Sequence, residues 1–300
     1  MIAPWNGRGL LLLHELRLRG TIAAVASVLS YSSSTVSHQL AQLEREVGVK
    51  LLVPEGRGLR LTPEGEAVAQ HAARLLAAQE QLRGELDALA PDAAPLRIAV
   101  LQTASRTLVP RVLDALREAL PALRVEIVVT PPEHGLFEVE TGRFDIAMAE
   151  QYPGHTRPHR EGLDRDLLGR DPIRLAAPPD SGVVSLADAR GLAWIMEPEG
   201  TAARAWAVQQ CRAAGFEPDI RHEATDLSAH VRLVAAGHAV SLLPGLALAG
   251  DDASARLVDL PGSPHREIFT ATRVSARAAP GVRAAREALS VAFATVADAG

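Results

Sequence analysis

Between positions 32 and 42 the chain carries Ser32, Ser33, Ser34, Thr35, Ser37, His38 and Gln42, short hydroxyls followed by an imidazole and a carboxamide. Such hydroxyls, together with the free N–H groups of a helix start, meet phosphate oxygens, while His and Gln side chains reach the edges of bases. That chemistry requires one outward helix face. Val36, Leu40, Leu43 and Val47 recur at helical spacing and define the inward face. Ser34, His38, Gln42 and Arg45 therefore point out, with Ser33, Thr35, Ser37 and Gln39 flanking. A Ser-rich helix start is equally an ordinary cap, and a polar face equally suits solvent, so the neighbouring elements decide.

Those elements are legible on both sides. Leu10, Leu13 and Leu16 place a first helix over about residues 8 to 19, stopped by Gly20. Thr21 caps a second, with Ile22, Val25 and Leu29 on one face and Ala26 small enough to let another helix cross. Ser30 to Ser34 break the period, because these side chains bond nearby backbone. Ser32 or Ser33 then caps the third helix, and Gly48 ends it. Leu51-Leu52-Val53, a turn from Pro54 to Gly58, and Leu59 to Thr62 read as a two-strand wing. Its tip lays Arg57 and Arg60 along a phosphate backbone. Thr62-Pro63-Glu64 opens a long helix to about Leu89. There Val68, Leu75, Leu82 and Leu89 recur every seven residues, with Ala72, Gln79 and Leu86 between them, as in a short coiled-coil seam.

At this point the chain resembles the LysR-type transcriptional regulators. The segments TVSHQLAQLEREVGVKLL and GRGLRLTPEGE carry that family's order of recognition helix, wing and linker start. The family often has Gln-Pro where this chain has Ser33-Ser34, and Arg where it has His38; these departures touch the operator sequence. The resemblance implies a reader of double-stranded DNA whose linker helix pairs two subunits as a homodimer or homotetramer, with RNA polymerase a further partner left open.

A different pattern begins after the hinge at Pro91 to Pro95. Strands are expected at Leu96 to Val100, Val125 to Val129, Phe144 to Ala149, Arg174 to Ala177, Trp194 to Met196, Ile220 to Glu223, Ala239 to Leu243 and Ile268 to Arg273. Helices alternate with them at about Arg106 to Leu120, Leu136 to Thr141, Ala202 to Ala214, Leu227 to Ala236, and from about Gly281 onward. Alternation of this kind implies α/β architecture with parallel β-α-β units. The pieces LVPRVLDALREALPALRVEI, GRFDIAMAE and LVAAGHAVSLLPGLAL are similar to the family's two-lobe periplasmic-binding-protein-like α/β effector domain. The expected organisation is a mainly α winged helix-turn-helix over 1–65, a linker and dimerisation helix over 66–93, and an effector-binding domain over 94–300. Within the last, lobe 1 spans about 94–172 and 274–300, and lobe 2 about 173–273.

Ligands of open α/β sheets lie beyond the carboxyl ends of the strands. Thr103, Ser105 and Thr201 each stand before an expected helix, where hydroxyl and N–H groups hold a carboxylate or phosphate. Thr130 and Asp226 lie in the matching loops. Plain N-capping is the competing fate of each; convergence on one cleft is what the resemblance implies. These hydroxyl and N–H groups lean toward an acidic small molecule, although no Arg is assigned to the cleft to pair with it.

Composition narrows the alternatives. A net charge of -5 argues against a nonspecific DNA coat, and 47% apolar with 3% aromatic content gives cores built from Ala, Leu and Val. Residues 20 to 62 set Arg45, Lys50, Arg57 and Arg60 against Glu44, Glu46 and Glu55, so pattern rather than bulk charge identifies the reading head. Cys211 is the sole cysteine and reads as a buried small hydrophobe. Gly7-x-Gly9 and Gly56-x-Gly58 lack the third glycine of a dinucleotide fingerprint, and no Walker, His-Glu-x-x-His or Gly-x-Ser-x-Gly pattern occurs. No cofactor, metal or catalytic residue is expected, and a metal site from His155 and His159 is disfavoured. Leu10 to Leu13 is too short to span a membrane, so a soluble cytoplasmic protein is expected. The competing readings are a cytoplasmic solute-binding module with an N-terminal interaction domain, and an α/β enzyme.

Overall fold

In the computed structural model, α1 (Gly7–Arg19), α2 (Ile22–Leu29) and α3 (Ser33–Val47) close around one apolar core. The described residues are 5–29, 31–55, 58–87, 95–157, 162–249 and 254–297. They fall into two compact units, Met1–Leu86 and Asp87–Gly300.

In the first unit the side chains of Leu12, Leu13, Val25, Val36 and Leu43 are fully buried. Each such side chain contributes about 1.5–3 kcal/mol by leaving water. Caps set the helix limits as expected. Thr21 Oγ1 accepts the Ala24 N–H, and Ser32 Oγ accepts that of Thr35. Gly48, at φ 83°, closes α3 by donating to Glu44 O. The wing strands β1 (Leu52–Glu55) and β2 (Gly58–Leu61) pair antiparallel with Glu55 opposite Gly58, so Pro54 and Glu55 belong to the strand and not to the turn. Arg57 lies outside the described residues.

The linker helix α4 (Pro63–Asp87) starts where Thr62 Oγ1 accepts the Gly65 N–H at 2.9 Å and donates to Lys50 O at 2.7 Å. Gly65 is required there, because a Cβ would sit 2.2 Å from Leu51 O. Only part of the expected seam is free. Val68 and Ala72 are buried in the head's own core, whereas Leu75 and Leu82 are 43% and 55% exposed. The first turns of α4 thus serve the head, and the leucines of the expected seam that stay exposed lie beyond them. The Leu86 side chain and Leu89 lie outside the described residues, as does most of the Pro91 to Pro95 hinge.

The second unit contains β3 (Leu96–Val100), α5 (Gln102–Thr107), α6 (Val109–Ala119), β4 (Val125–Val129), α7 (Pro132–Glu140), β5 (Ile146–Gln151) and β6 (Leu163–Ala177). It continues through β7 (Ala193–Met196), α8 (Ala202–Ala213), β8 (Asp219–Glu223), α9 (Leu227–Ala235), β9 (Ser241–Pro244), α10 (Gly245–Leu248), β10 (Arg256–Val258), β11 (His265–Arg273) and α11 (Pro280–Ala297). The sheet of the first lobe runs β4-β3-β5-β11-β6, parallel among β3, β4 and β5 and antiparallel beyond. α6 and α11 cover one face through Val112, Leu116, Leu289 and Phe293. β6 then continues into the second lobe, where its last residues lie between β9 and β10. There β7 and β8 pair in parallel, and the bridge Trp194↔Val240 joins β7 to the run leading into β9.

Three differences from the sequence reading have physical causes. The helix expected from Arg106 to Leu120 is two helices, because Pro110 has no N–H to continue the ladder through Leu108. β6 begins eleven residues before Arg174. Its first half reads as polar, yet Asp164 meets Arg286 and Arg165 lies 4.9 Å from the centre of the Phe269 ring. Finally, β11 pairs with β5 and with the first half of β6, so 265–273 joins the first lobe's sheet and not the second.

Candidate functional site

On the first unit, α3 presents an exposed face of Ser33, Ser34, Thr35, Ser37 and His38. Ser32 Oγ lies 2.8 Å from both Ser34 Oγ and Thr35 Oγ1, while Ser37 Oγ donates to Ser33 O at 2.9 Å. The hydroxyls are thus held by local bonds that phosphate oxygens can replace without refolding the turn. Gln42 is half-buried and donates to Glu46 Oε1 at 2.9 Å, and the other Glu46 oxygen accepts the Asn6 N–H. On the wing, Arg60 Nε pairs with Glu55 Oε1 at 3.0 Å, an exposed contact worth about 0–1 kcal/mol and readily exchanged. Arg8, outside the stretch that the sequence reading weighed, stands 6.0 Å from the centre of the Tyr31 ring and adds a positive charge beside the start of α3.

Glu44 fixes the wing to the helix. Its Oε1 accepts the N–H groups of Leu51 and Leu52 at 2.9 and 3.1 Å, and its Oε2 pairs with Lys50 Nζ at 2.9 Å. Partial burial pushes this carboxyl's pKa up, but the Lys50 contact and the two backbone donors together outweigh burial and hold it below the usual range.

Between the lobes of the second unit the dominant feature is Arg266, 2% exposed at the start of β11. Its guanidinium meets Asp171 Oδ2 at 2.8 Å, contacts Glu150, and donates to Thr103 Oγ1 at 3.0 Å. Burial opposes its charge, but Glu150 and Asp171 outweigh burial and hold its pKa well above the ordinary value. The remaining Asp171 oxygen accepts the Leu246 N–H at 3.1 Å, tying the cluster to α10. Nearby, the Gln102 side chain donates to Asp226 Oδ1 and accepts the Leu227 N–H at 3.2 Å. One glutamine of the first lobe therefore occupies the start of α9 in the second, as a latch.

The five residues expected to meet ligand fare differently. Thr103 and Asp226 lie at the junction of the lobes, within the two contacts just described. Ser105 is inside α5 and not ahead of a helix, its hydroxyl turned back to Gln102 O at 2.7 Å, because the first helix starts earlier than expected. Thr201 is the N-cap of α8, accepting from the Arg204 N–H and donating to Pro198 O. Thr130 is half-buried after β4 and gives its N–H to Val100 O. Sequence reasoning missed Arg266, Glu150, Asp171 and the latch role of Gln102. Isolated charged residues in segments read as loops carried no signal that they meet. His155 is half-buried, with Nδ1 3.3 Å from Pro153 O, and His159 lies outside the described residues.

A winged reading head and a two-lobe α/β domain with a polar cleft define a ligand-responsive DNA-binding regulator. Residues 8–66 match the model of the bacterial regulatory helix-turn-helix proteins of the lysR family, and 90–294 match the LysR substrate binding domain. The chain belongs to the LysR family of transcriptional regulators. It is similar to the transcriptional dual regulator GltC of Bacillus subtilis (strain 168), 30% identical over 217 residues that cover 70% of this chain and 71% of that one. The regulator GltR of the same organism is 23% identical over 79% of each chain. In fold it is similar to a full-length cysteine-to-aspartate variant of OxyR from Pseudomonas aeruginosa, with a TM-score of 0.65 and 21% identity over 97% of this chain and 95% of that one. These relatives are transcriptional regulators and not enzymes. Among the described residues, no helix is long and apolar enough to cross a membrane.

Removing Arg266 strands two carboxylates. Arg266→Met is expected to destabilise the second unit by about 3–5 kcal/mol, whereas the melting of the first unit stays unchanged. Calorimetry of the full chain resolves the two transitions; an unshifted second transition contradicts the assigned role.

Proposed function

We propose that α3 enters the major groove of a partly palindromic operator and that the inter-lobe cleft holds the effector. The observation that carries the first half is the exposed hydroxyl and His38 face of α3, held rigidly against the wing by Glu44. In this reading Ser32, Ser33, Ser34, Thr35 and Ser37 meet backbone phosphates, His38 and Gln42 read base edges, and Arg57 and Arg60 follow the phosphate backbone. The reading divides the chain into a head over 1–65, a linker over 66–93 and an effector domain beyond. Thr103 and Asp226 are the proposed effector contacts at the latch, with Ser105, Thr130 and Thr201 on the surrounding loops.

Two copies, or two pairs of copies, present the heads to successive half-sites, which lie about one turn of DNA apart. The exposed Leu75 and Leu82 on α4 support pairing through the linker. RNA polymerase is a partner open to the DNA-bound assembly. The protein works in the cytoplasm and catalyses no reaction; in support, the relatives of known role regulate transcription. Some relatives are named as hydrogen peroxide-inducible genes activators. Cysteine-based peroxide sensing does not suit this chain, because burial pushes the thiol of Cys211 up to about 12.

His38→Ala should relax base preference by about 1–3 kcal/mol, while Arg60→Ala weakens all sequences alike and flattens the salt dependence. Gel shifts on the DNA upstream of the chain's own gene and on random DNA separate the two. Parental behaviour of both variants refutes the placement of helix and wing. Leu75→Asp with Leu82→Asp should split the oligomer without unfolding either unit; unchanged sedimentation assigns the main interface elsewhere.

A further inference from the structure

Resting on the reading that the inter-lobe cleft holds the effector, we infer that the effector is a small organic ammonium. Its cationic group enters the small cavity beside Glu197. The arginines around that place are already committed. Arg266 serves Glu150 and Asp171, and Arg157 pairs with Glu133 at 2.7 Å. Arg204 pairs with Glu223 at 2.6 Å and gives a further bond to Glu197 O at 3.3 Å. The Glu197 carboxylate, by contrast, has no hydrogen-bond or ion-pair partner among the described residues. It lines a cavity of about 20 Å³ with Tyr152, Met196, Arg204, Trp206 and His230.

The Tyr152 and Trp206 rings pack on each other 5.8 Å apart and tilted by 39°, both nearly fully buried, so they form an apolar wall beside the carboxylate and not a slot between ring faces. His230 adds no competing charge. Burial lowers its pKa, and its ring nitrogens are engaged by Ser241 Oγ at 3.1 Å and Ala224 O at 2.9 Å. An anionic ligand would meet the unpaired Glu197 carboxylate, whereas Glu150 is matched by Arg266 and Arg204 by Glu223. The space holds about one water, so only an ammonium head fits, with the ligand body lying toward the cleft past Leu227, which lines both this cavity and the space beside Gln102.

Titration of Glu197 supplies a second signature. Burial, with the Glu150 charge adding to it and Glu133 behind, raises its pKa to about 7, although Arg266 acts the other way. A bound ammonium restores full ionisation, so binding expels a proton and strengthens as pH rises through that value.

The test uses the full chain with n-propylammonium chloride, sodium propionate and n-propanol at matched ionic strength. It reads hydrogen exchange and thermal shift about one pH unit above and below the Glu197 pKa. Propylammonium should protect 150–152 and 196–206, more strongly at the higher pH. Glu197→Gln should weaken its apparent affinity about tenfold or more, and Glu197→Asp should retain it. Circular dichroism establishes that each variant folds. Equal protection in Glu197→Gln, stronger protection by propionate, or no protection of these segments overturns the inference. The cleft reading is scored separately: it survives if any probe protects 102–107 and 226–231, and falls if none does.

Discussion

A buried guanidinium holds the effector half together. Burying one charge costs several kcal/mol, and the cost is offset only where partners surround it with good geometry. Arg266 draws those partners from α5 through Thr103, from β5 through Glu150 and from β6 through Asp171. Asp171 in turn binds the start of α10. The cluster sits where β6 passes from one lobe's sheet into the other's, with Ile173 donating to Pro264 O just beyond it. The lobes therefore share a stiff, charged pivot. The Gln102 latch is one neutral side chain on two acceptor and donor groups, and it is the weaker of the two connections.

The same division between stiff support and replaceable contact recurs in the reading head. Glu44 uses both carboxylate oxygens to bind the wing to α3. The exposed hydroxyls of Ser32, Ser34 and Thr35 bond mainly to one another and to the helix start. A rigid frame that carries exchangeable polar groups suits recognition, because contacts with DNA then replace internal bonds and leave the backbone unmoved.

The head was almost fully legible in the sequence, since its helices obey local rules. Periodicity located Val36, Leu40 and Leu43, and hydroxyl and glycine caps gave the ends of α2 and α3. Features made by distant residues were not legible. Nothing local marks Arg266 as the partner of Asp171, ninety-five positions earlier, or of Glu150. The polar first half of β6 looked like a loop because its charges are satisfied only by β11 and α11. Val68 and Ala72 kept the seven-residue period of a seam yet face the head, because a heptad pattern does not distinguish an intermolecular partner from an intramolecular one.

In the proposed reading, the state of the inter-lobe cleft sets how paired heads sit on DNA. A ligand shifts such an equilibrium only through differential contacts with its two states, and releasing the latch mimics that difference without a ligand. The most direct measurement compares footprint and bend angle for the parent and Gln102→Ala on the DNA upstream of the chain's own gene, with no effector added. A changed footprint or bend is expected, with the affinity of a single half-site unchanged. An identical footprint and bend, with the variant shown by hydrogen exchange to have loosened 226–231, would contradict it.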